Sequence, residues 1–210
     1  REDVYRVLKT FADAKPTLDA QQQRLVDFQL REYRRAGLTL PADERKAVVQ
    51  LRKDLTVAEQ QFATNINQAR GPLDVTAEEL AGVPDIVLKI PGVLQPDGRY
   101  RVMANITWHA NAIADNAKLP ETRKRMALAR TTLAMDTNVP TLARLVALRA
   151  DIAQRLGYAN WADYRTETRM AKTGATAMKF EEDLVAGLQP KYVAEMETLR
   201  QLKAADTGDA

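Results

Sequence analysis

A single histidine, His109, follows Trp108 in the stretch "ITWHANAIADNAK", and it is the one imidazole in 210 residues. A zinc-hydrolase site of the H-E-x-x-H kind needs two histidines on one helical face. This chain cannot build one. Cysteine is absent, which removes disulfides, thiolate chemistry and Cys-ligated zinc. Serine is absent too, so a serine nucleophile and its G-x-S-x-G elbow are excluded. Neither a G-x-x-x-x-G-K-[ST] nor a G-x-G-x-x-G phosphate loop occurs. His109 and Trp108 come directly after a predicted strand, where a passing peptide backbone could be met. With no placed carboxylate or metal beside it, the favoured reading of His109 is a partly exposed turn residue.

The remaining charged candidates read as structural. Glu78-Glu79 and Glu181-Glu182 are adjacent, and adjacent helical positions point about 100° apart, so neither pair can share a substrate. "ETRKRMALAR" clusters Arg123, Lys124, Arg125 and Arg130 on what reads as a solvated helix face. Arg149 edges the Leu145, Leu148, Ile152 stripe, where its stem can pack while the guanidinium seeks a carboxylate. A structural ion pair is expected there. In "RLGYANWADYRTETRMAKTG" the aromatics beside a helix start raise two readings, a ligand site or a joint between helices. Gly157 can end one helix, Asn160 with Asp163 can cap a second, and Thr173 can cap a third. Tyr158, Trp161 and Tyr164 are then placed to fill the corner between them, which favours the joint.

The elements that must carry these residues are mostly helical. "REDVYRVLKTFADAK" has Val4, Val7, Leu8 and Phe11 at helical spacing from the first residue, so the natural start is expected upstream. Leu18, Leu25, Val26, Leu30 and Tyr33 form a stripe ending at Gly37. Val48, Leu51, Leu55, Ala58, Phe62, Ile66 and Ala69 form the longest one, starting after Pro41 with Asp43 and Glu44. These two helices, 18–36 and 43–70, are expected to pair antiparallel. "TAEEL" offers a Thr76–Glu79 capping box for a very short helix. In "RYRVMANI", Tyr100, Val102, Ala104 and Ile106 alternate with other residues, a strand pattern after the turn residues "QPDG". Residues 86–90 read as either its partner strand or a helical turn. Helical spacing resumes after Pro120, is punctuated at Asn138 and Pro140, and runs to Gly157. A last long helix carries Val185, Leu188, Tyr192, Met196 and Leu199 on one stripe, with Pro190 inside it, before a polar and uncapped end.

The expected fold is therefore mostly α, with antiparallel helical hairpins and a bundle, plus a small β element around residues 99–106. The three segments are a helical pair over 1–70, a short helix and β element over 71–119, and a helical segment over 120–210, read as one domain. Hydrophobic residues make up 45% of the chain, enough for a core. Lys plus Arg number 31 against 28 for Asp plus Glu, and the two signs are interleaved, which is no nucleic-acid footprint. No window approaches the roughly 18 apolar residues of a membrane span.

The order of motifs resembles one family. "RRAGLTL", F-x-x-N-I at Phe62, Asn65 and Ile66, T-x-E-E-L-x-G-V-P, P-E-T-R, "LVALRADIAQRLGYANWADY" and "MAKT" follow one another as in the thimet-oligopeptidase-like zinc metallopeptidases. The likeness covers residues 1 to about 200 and is most specific at 142–173. It implies an N-terminal, helical piece of a larger enzyme, one wall of a narrow channel that admits short, unstructured peptides. The zinc-bearing helix and its general-base Glu would lie in the family's C-terminal part. By that implication zinc belongs to the parent enzyme and none to this chain, and the partners are the catalytic part of the same polypeptide and short peptides. Trp108 and His109 become channel-lining candidates, although this segment departs from the Pro and Tyr of the family. Arg149, Gly157, Tyr158, Asn160, Trp161 and Tyr164 are structural. The rival reading is a freestanding helical interaction module, an adaptor or inhibitor with a peptidase-derived fold. Cytoplasm is the favoured compartment, with periplasm left open by the missing start.

Overall fold

The computed structural model describes residues 1–208. In chain order the elements are α1 Glu2–Asp13, α2 Ala20–Arg35, α3 Ala42–Gln68, β1 Pro72–Val75, α4 Asp85–Leu88, β2 Tyr100–Met103, α5 Thr107–Asn116, α6 Pro120–Thr131, α7 Met135–Arg155, α8 Trp161–Thr166 and α9 Gly174–Thr207. The fold is mostly α with one two-stranded sheet, as the spacing of apolar residues predicts. The chain divides into two compact units, Arg1–Arg52 with Arg149–Ala210, and Lys53–Leu148.

In the first unit α2 starts on a capping box. The Asp19 carboxylate accepts from the Gln21 and Gln22 backbone at 2.9 and 2.8 Å, and the Gln22 side chain accepts from Asp19 N–H at 3.1 Å. Gly37 ends the helix in the left-handed conformation, φ 88°, and lets Leu38 N–H donate to the Tyr33 carbonyl at 3.0 Å. Gly157 ends α7 by the same device, with Tyr158 N–H donating to Ala153 at 2.9 Å. The close neighbour of α2 is α1, where Tyr5 lies edge-on to Tyr33 at 5.8 Å. Helix α3 meets the end of α2 through Arg52, whose guanidinium donates to the Arg35 carbonyl at 2.7 Å. Buried apolar side chains here are few and include Val48, Ile152, Ala153 and Leu156.

The second unit is built around β1 and β2, antiparallel with Leu73 opposite Val102 and Val75 opposite Tyr100. Val75, Val102, Ala104 and Ile113 are fully shut from solvent, and Leu80 and Met126 nearly so. The partner strand is thus 72–75, and residues 85–88 are helical. The strand stops at Met103, short of Ile106, because a helix begins at Thr107. Helix α5 shows no apolar stripe in the sequence because its buried residues are His109, Ala110 and Ile113, of which only Ile113 is a large apolar side chain. "TAEEL" makes its capping-box bonds, Thr76 N–H to Glu79 at 2.7 Å and Glu79 N–H to Thr76 Oγ1 at 3.2 Å, but around a turn and not a helix.

Helix α7 runs through Asn138 and Pro140 where a break is expected. Pro140 sits near its start, and its missing N–H strips only the Asp136 carbonyl of a partner. Asn138, buried, is fastened to α3: its amide donates to the Phe62 carbonyl at 3.1 Å and its oxygen accepts from Asn65 at 2.9 Å. At the other end of the chain, Gly208 takes a left-handed conformation and its N–H closes α9 onto Ala204, so this terminus is capped after all.

Candidate functional site

Trp108 and His109 occupy the first turn of α5. Across the ladder from Pro72, Met103 has its N–H turned away from β1, since the neighbouring Ala104 N–H is the one bonded to Gly71 at 2.8 Å. That outward N–H donates to His109 Nδ1 at 3.1 Å. An imidazole accepting at Nδ1 is neutral and carries its proton on Nε2. Burial lowers the His109 pKa below its ordinary value of 6.5 for the same reason. His109 is therefore a buried helix residue, 3% exposed, and not the partly exposed turn residue its sequence setting suggests. Its Nε2 is enclosed without a hydrogen-bond partner, as is Asn105 Oδ1 two residues before the helix. Trp108 stands edge-on to it at 4.1 Å and is about half exposed.

Beside this turn lies an open cleft of about 520 Å³ lined by Ile66, Asn67, Asn105, Arg130 and Leu133. Of the arginines of α6, Arg123 and Arg125 are half-buried and Arg130 is exposed, and each donates to a backbone carbonyl. Arg123 donates to the Ala117 carbonyl at 2.6 Å, and Arg130 to the Ala104 carbonyl at 3.0 Å and Thr107 Oγ1 at 3.3 Å. Arg125 pairs with Glu79 and donates to the Asp74 carbonyl at 3.0 Å. Arg130 ties down the segment leading into α5, Arg123 the turn that follows it and Arg125 strand β1, each by satisfying a backbone carbonyl. Lys124 is exposed.

The second concentration of polar chemistry is the joint after Gly157. Asn160 caps α8 by accepting from Asp163 N–H at 2.8 Å, and Thr173 caps α9 by accepting from Thr176 N–H at 3.1 Å. Asp163 adds a link between the two helices by accepting from Gly174 N–H at 2.8 Å. Tyr158 and Tyr164 lie edge-on at 5.2 Å, and Trp161 tilts against Tyr164 at 5.0 Å. Arg149 reaches the Trp161 ring at 5.9 Å, and Arg35 covers Tyr164 at 4.3 Å.

The hub of this joint is Glu167, which the sequence does not announce. It accepts from Tyr158 Oη at 2.5 Å and Arg35 at 2.8 Å, and it pairs with Arg34. Burial pushes its pKa up, but the donors from Tyr158, Arg35 and Arg34 outweigh that and hold it at about 2. Burial and the bond to Glu167 push the Tyr158 hydroxyl up. Arg34 and Arg35 stand more than 120 residues away in sequence, so no local spacing could reveal the cluster. The three aromatics are half-buried, and each has a guanidinium group over its ring. Both Glu167 oxygens are occupied from within the unit, which is the chemistry of a fastener and not of a catalyst.

The class to which this architecture belongs follows from comparison with known proteins. Residues 114–210 match the model of peptidase family M3. Over its whole length the chain is similar to a probable thimet oligopeptidase of Arabidopsis thaliana, with 31% identity across 100% of the chain and 29% of that protein. It is likewise similar to a mitochondrial intermediate peptidase of Leucoagaricus gongylophorus, with 29% identity over 98% of the chain, and to oligopeptidase A of Salmonella typhimurium, with 27% over 98%. The resemblance to the thimet-oligopeptidase group read from the motifs holds across all 210 residues. The chain spans just under a third of the length of these relatives.

Among the described residues no group of three or more His, Asp or Glu converges on one point, and the sole imidazole has spent Nδ1 on Met103. No helix of the described residues is long and apolar enough to cross a membrane.

Proposed function

We propose that this chain is the N-terminal, channel-wall part of a zinc metallo-oligopeptidase that hydrolyses short peptides, and that its 210 residues act as one domain without a zinc site of their own. The observation that carries the reading is the alignment itself: relatives named as oligopeptidases match the chain from end to end, yet the chain accounts for under a third of each. Among its described residues no set of three metal-binding side chains converges, so in this reading hydrolysis requires the rest of the parent. Trp108 is the residue to line the channel, since it is exposed on a turn held rigid by His109, Arg130 and the sheet edge. His109 would then act through that turn and not by touching peptide.

The experiment is to compare the isolated chain with the longer open reading frame that contains it. The chain alone should neither bind zinc one-to-one nor cleave a quenched short peptide. The longer product should do both and lose turnover to a chelator. Stoichiometric zinc on the 210 residues overturns the reading, and a reading frame that stops at Ala210 decides for the interaction module.

A further inference from the structure

Helix α9 spans 34 residues and, over its whole length, buries none of them. It packs against the six-residue α8 at its start, through Asp163 and the Thr173 cap. Beyond that start Leu184, Leu188, Tyr192, Met196, Leu199 and Leu202 are all between 46% and 62% exposed. At about 100° per residue these six fall within an arc of roughly 120°, the width of a core-facing stripe. Exposed hydrophobic residues are ordinary when scattered, but an ordered row some 27 Å long, at about 1.5 Å per residue, marks an interaction surface. Helical stability in proteins comes mainly from packing of the apolar face, so a helix of this length needs a cover.

Charge narrows what the cover can be. The charged residues alongside are largely neutralised within the helix: Lys179 with Asp183 at 2.9 Å, Lys191 with Glu195 at 3.7 Å and Arg200 with Glu197 at 2.8 Å. The basic residues beside the stripe are only Lys191, Arg200 and Lys203, and the first two are paired, so it is a poor ligand for anionic lipid or nucleic acid, both of which require unpaired Lys and Arg. Such a rim suits a neutral, apolar protein surface. About seven-tenths of the Arabidopsis relative has no counterpart in this chain, so a surface of that kind is available within a single polypeptide.

We infer that the Leu184–Leu202 stripe of α9 is the seat of an apolar, helical segment of the same parent polypeptide lying outside residues 1–210. The inference rests on the proposal that the chain is part of a longer protein. It adds the surface through which this part is joined to the remainder, and it makes α9 an internal core element of the parent.

Because these 210 residues contain no cysteine, single cysteines placed in α9 report without background in their own peptides. In the full parent, Leu188→Cys, Tyr192→Cys and Leu199→Cys are compared with Asp183→Cys and Gln201→Cys on the opposite side. Maleimide labelling under native conditions is followed peptide by peptide by mass spectrometry. The stripe positions should label at least about 100-fold more slowly than the controls, as expected of a site that reacts only after local opening, and at a rate independent of protein concentration. Equal rates overturn the inference, and protection that fades on dilution overturns it in favour of a second copy. Labelling is blind to hydrolysis. Protection in a parent that proves not to be a zinc peptidase would sink the functional proposal alone, whereas free labelling in an active zinc peptidase would sink the α9 assignment alone. A frame ending at Ala210 overturns both.

Discussion

The 53–148 unit is held together by removal of apolar surface from water, with Val75, Val102, Ile113 and Met126 at 0–1% exposure around a sheet of two four-residue strands. The other unit, made of longer helices, has few buried side chains and closes its corner with a carboxylate, a tyrosine hydroxyl and two guanidinium groups at Glu167. Short elements can fold around one another and enclose a centre, but long helices present more length than their own neighbours can cover. The difference teaches that stability and accessibility are distributed unevenly along this chain. Apolar burial is concentrated in the middle, around the sheet. In the flanking unit a large part of the apolar surface of α9 is still open.

The sharpest test of that contrast uses one large-to-small substitution in each region. Ile113 is fully enclosed, so Ile113→Ala removes buried methylenes and leaves a cavity, an expected loss of about 3–4 kcal/mol. Leu188 is 55% exposed, and Leu188→Ala in the isolated chain is expected to change stability by less than about 0.5 kcal/mol. The two tryptophans, Trp108 in one unit and Trp161 in the other, provide separate fluorescence signals for urea titrations once either is replaced by Phe. Equal losses at the two positions would erase the distinction between a closed and an open unit.

The next effect belongs to the charged corner. Glu167→Gln leaves Arg34 and Arg35 facing an amide, and an expected loss of about 2–3 kcal/mol follows from stripping a charged partner from partly buried guanidinium groups. The pH dependence has a definite sign. Glu167 titrates at about 2 in the folded protein against 4.5 ordinarily, so its contribution is fully present above 4.5 and drains away as pH falls toward 2. Acid titration followed at Trp161 should show this loss in the parent sequence and not in Glu167→Gln. A Gln variant with unchanged acid stability would mean that the corner is held by its rings alone.

These regions also differ in how legible they were. Helices α2, α3 and α9, and the caps at Gly37, Gly157, Asn160 and Thr173, follow from patterns confined to a few turns. Such local chemistry can be read from spacing because the partners are neighbours in sequence. The pairing of β1 with β2 spans about 30 residues, and β1 offers only Pro72-Leu-Asp-Val75, too short to alternate convincingly. The Glu167 hub joins residues up to 133 apart. Tyr158, Trp161 and Tyr164 are neighbours in sequence and meet after Gly157, but the guanidinium groups against them come from α2 and α7, and no spacing rule reaches that far. At Trp108 and His109 the error was one of element: a run of alanines concealed α5, and with it the burial of the imidazole.

His109 yields the smallest and most specific prediction, because its two nitrogens are in different circumstances. Nδ1 satisfies the Met103 N–H, an edge donor that Pro72 and the ladder leave free, and it can do so only while the ring is neutral. Burial lowers the folded pKa below 6.5, so below that value the unfolded chain binds the proton more readily than the folded one. Stability of the 53–148 unit should therefore be constant well above pH 6.5 and fall as acidification passes through that value. His109→Asn offers an amide oxygen to Met103 N–H without a titrating group, and it should flatten the dependence at Trp108 while leaving the Glu167 loss at Trp161 untouched. If the Asn variant keeps the slope, another group near α5 carries it. If the slope vanishes at both tryptophans, the two units do not respond to acid independently, and the contrast between an apolar centre and a charged corner has to be redrawn as one coupled structure.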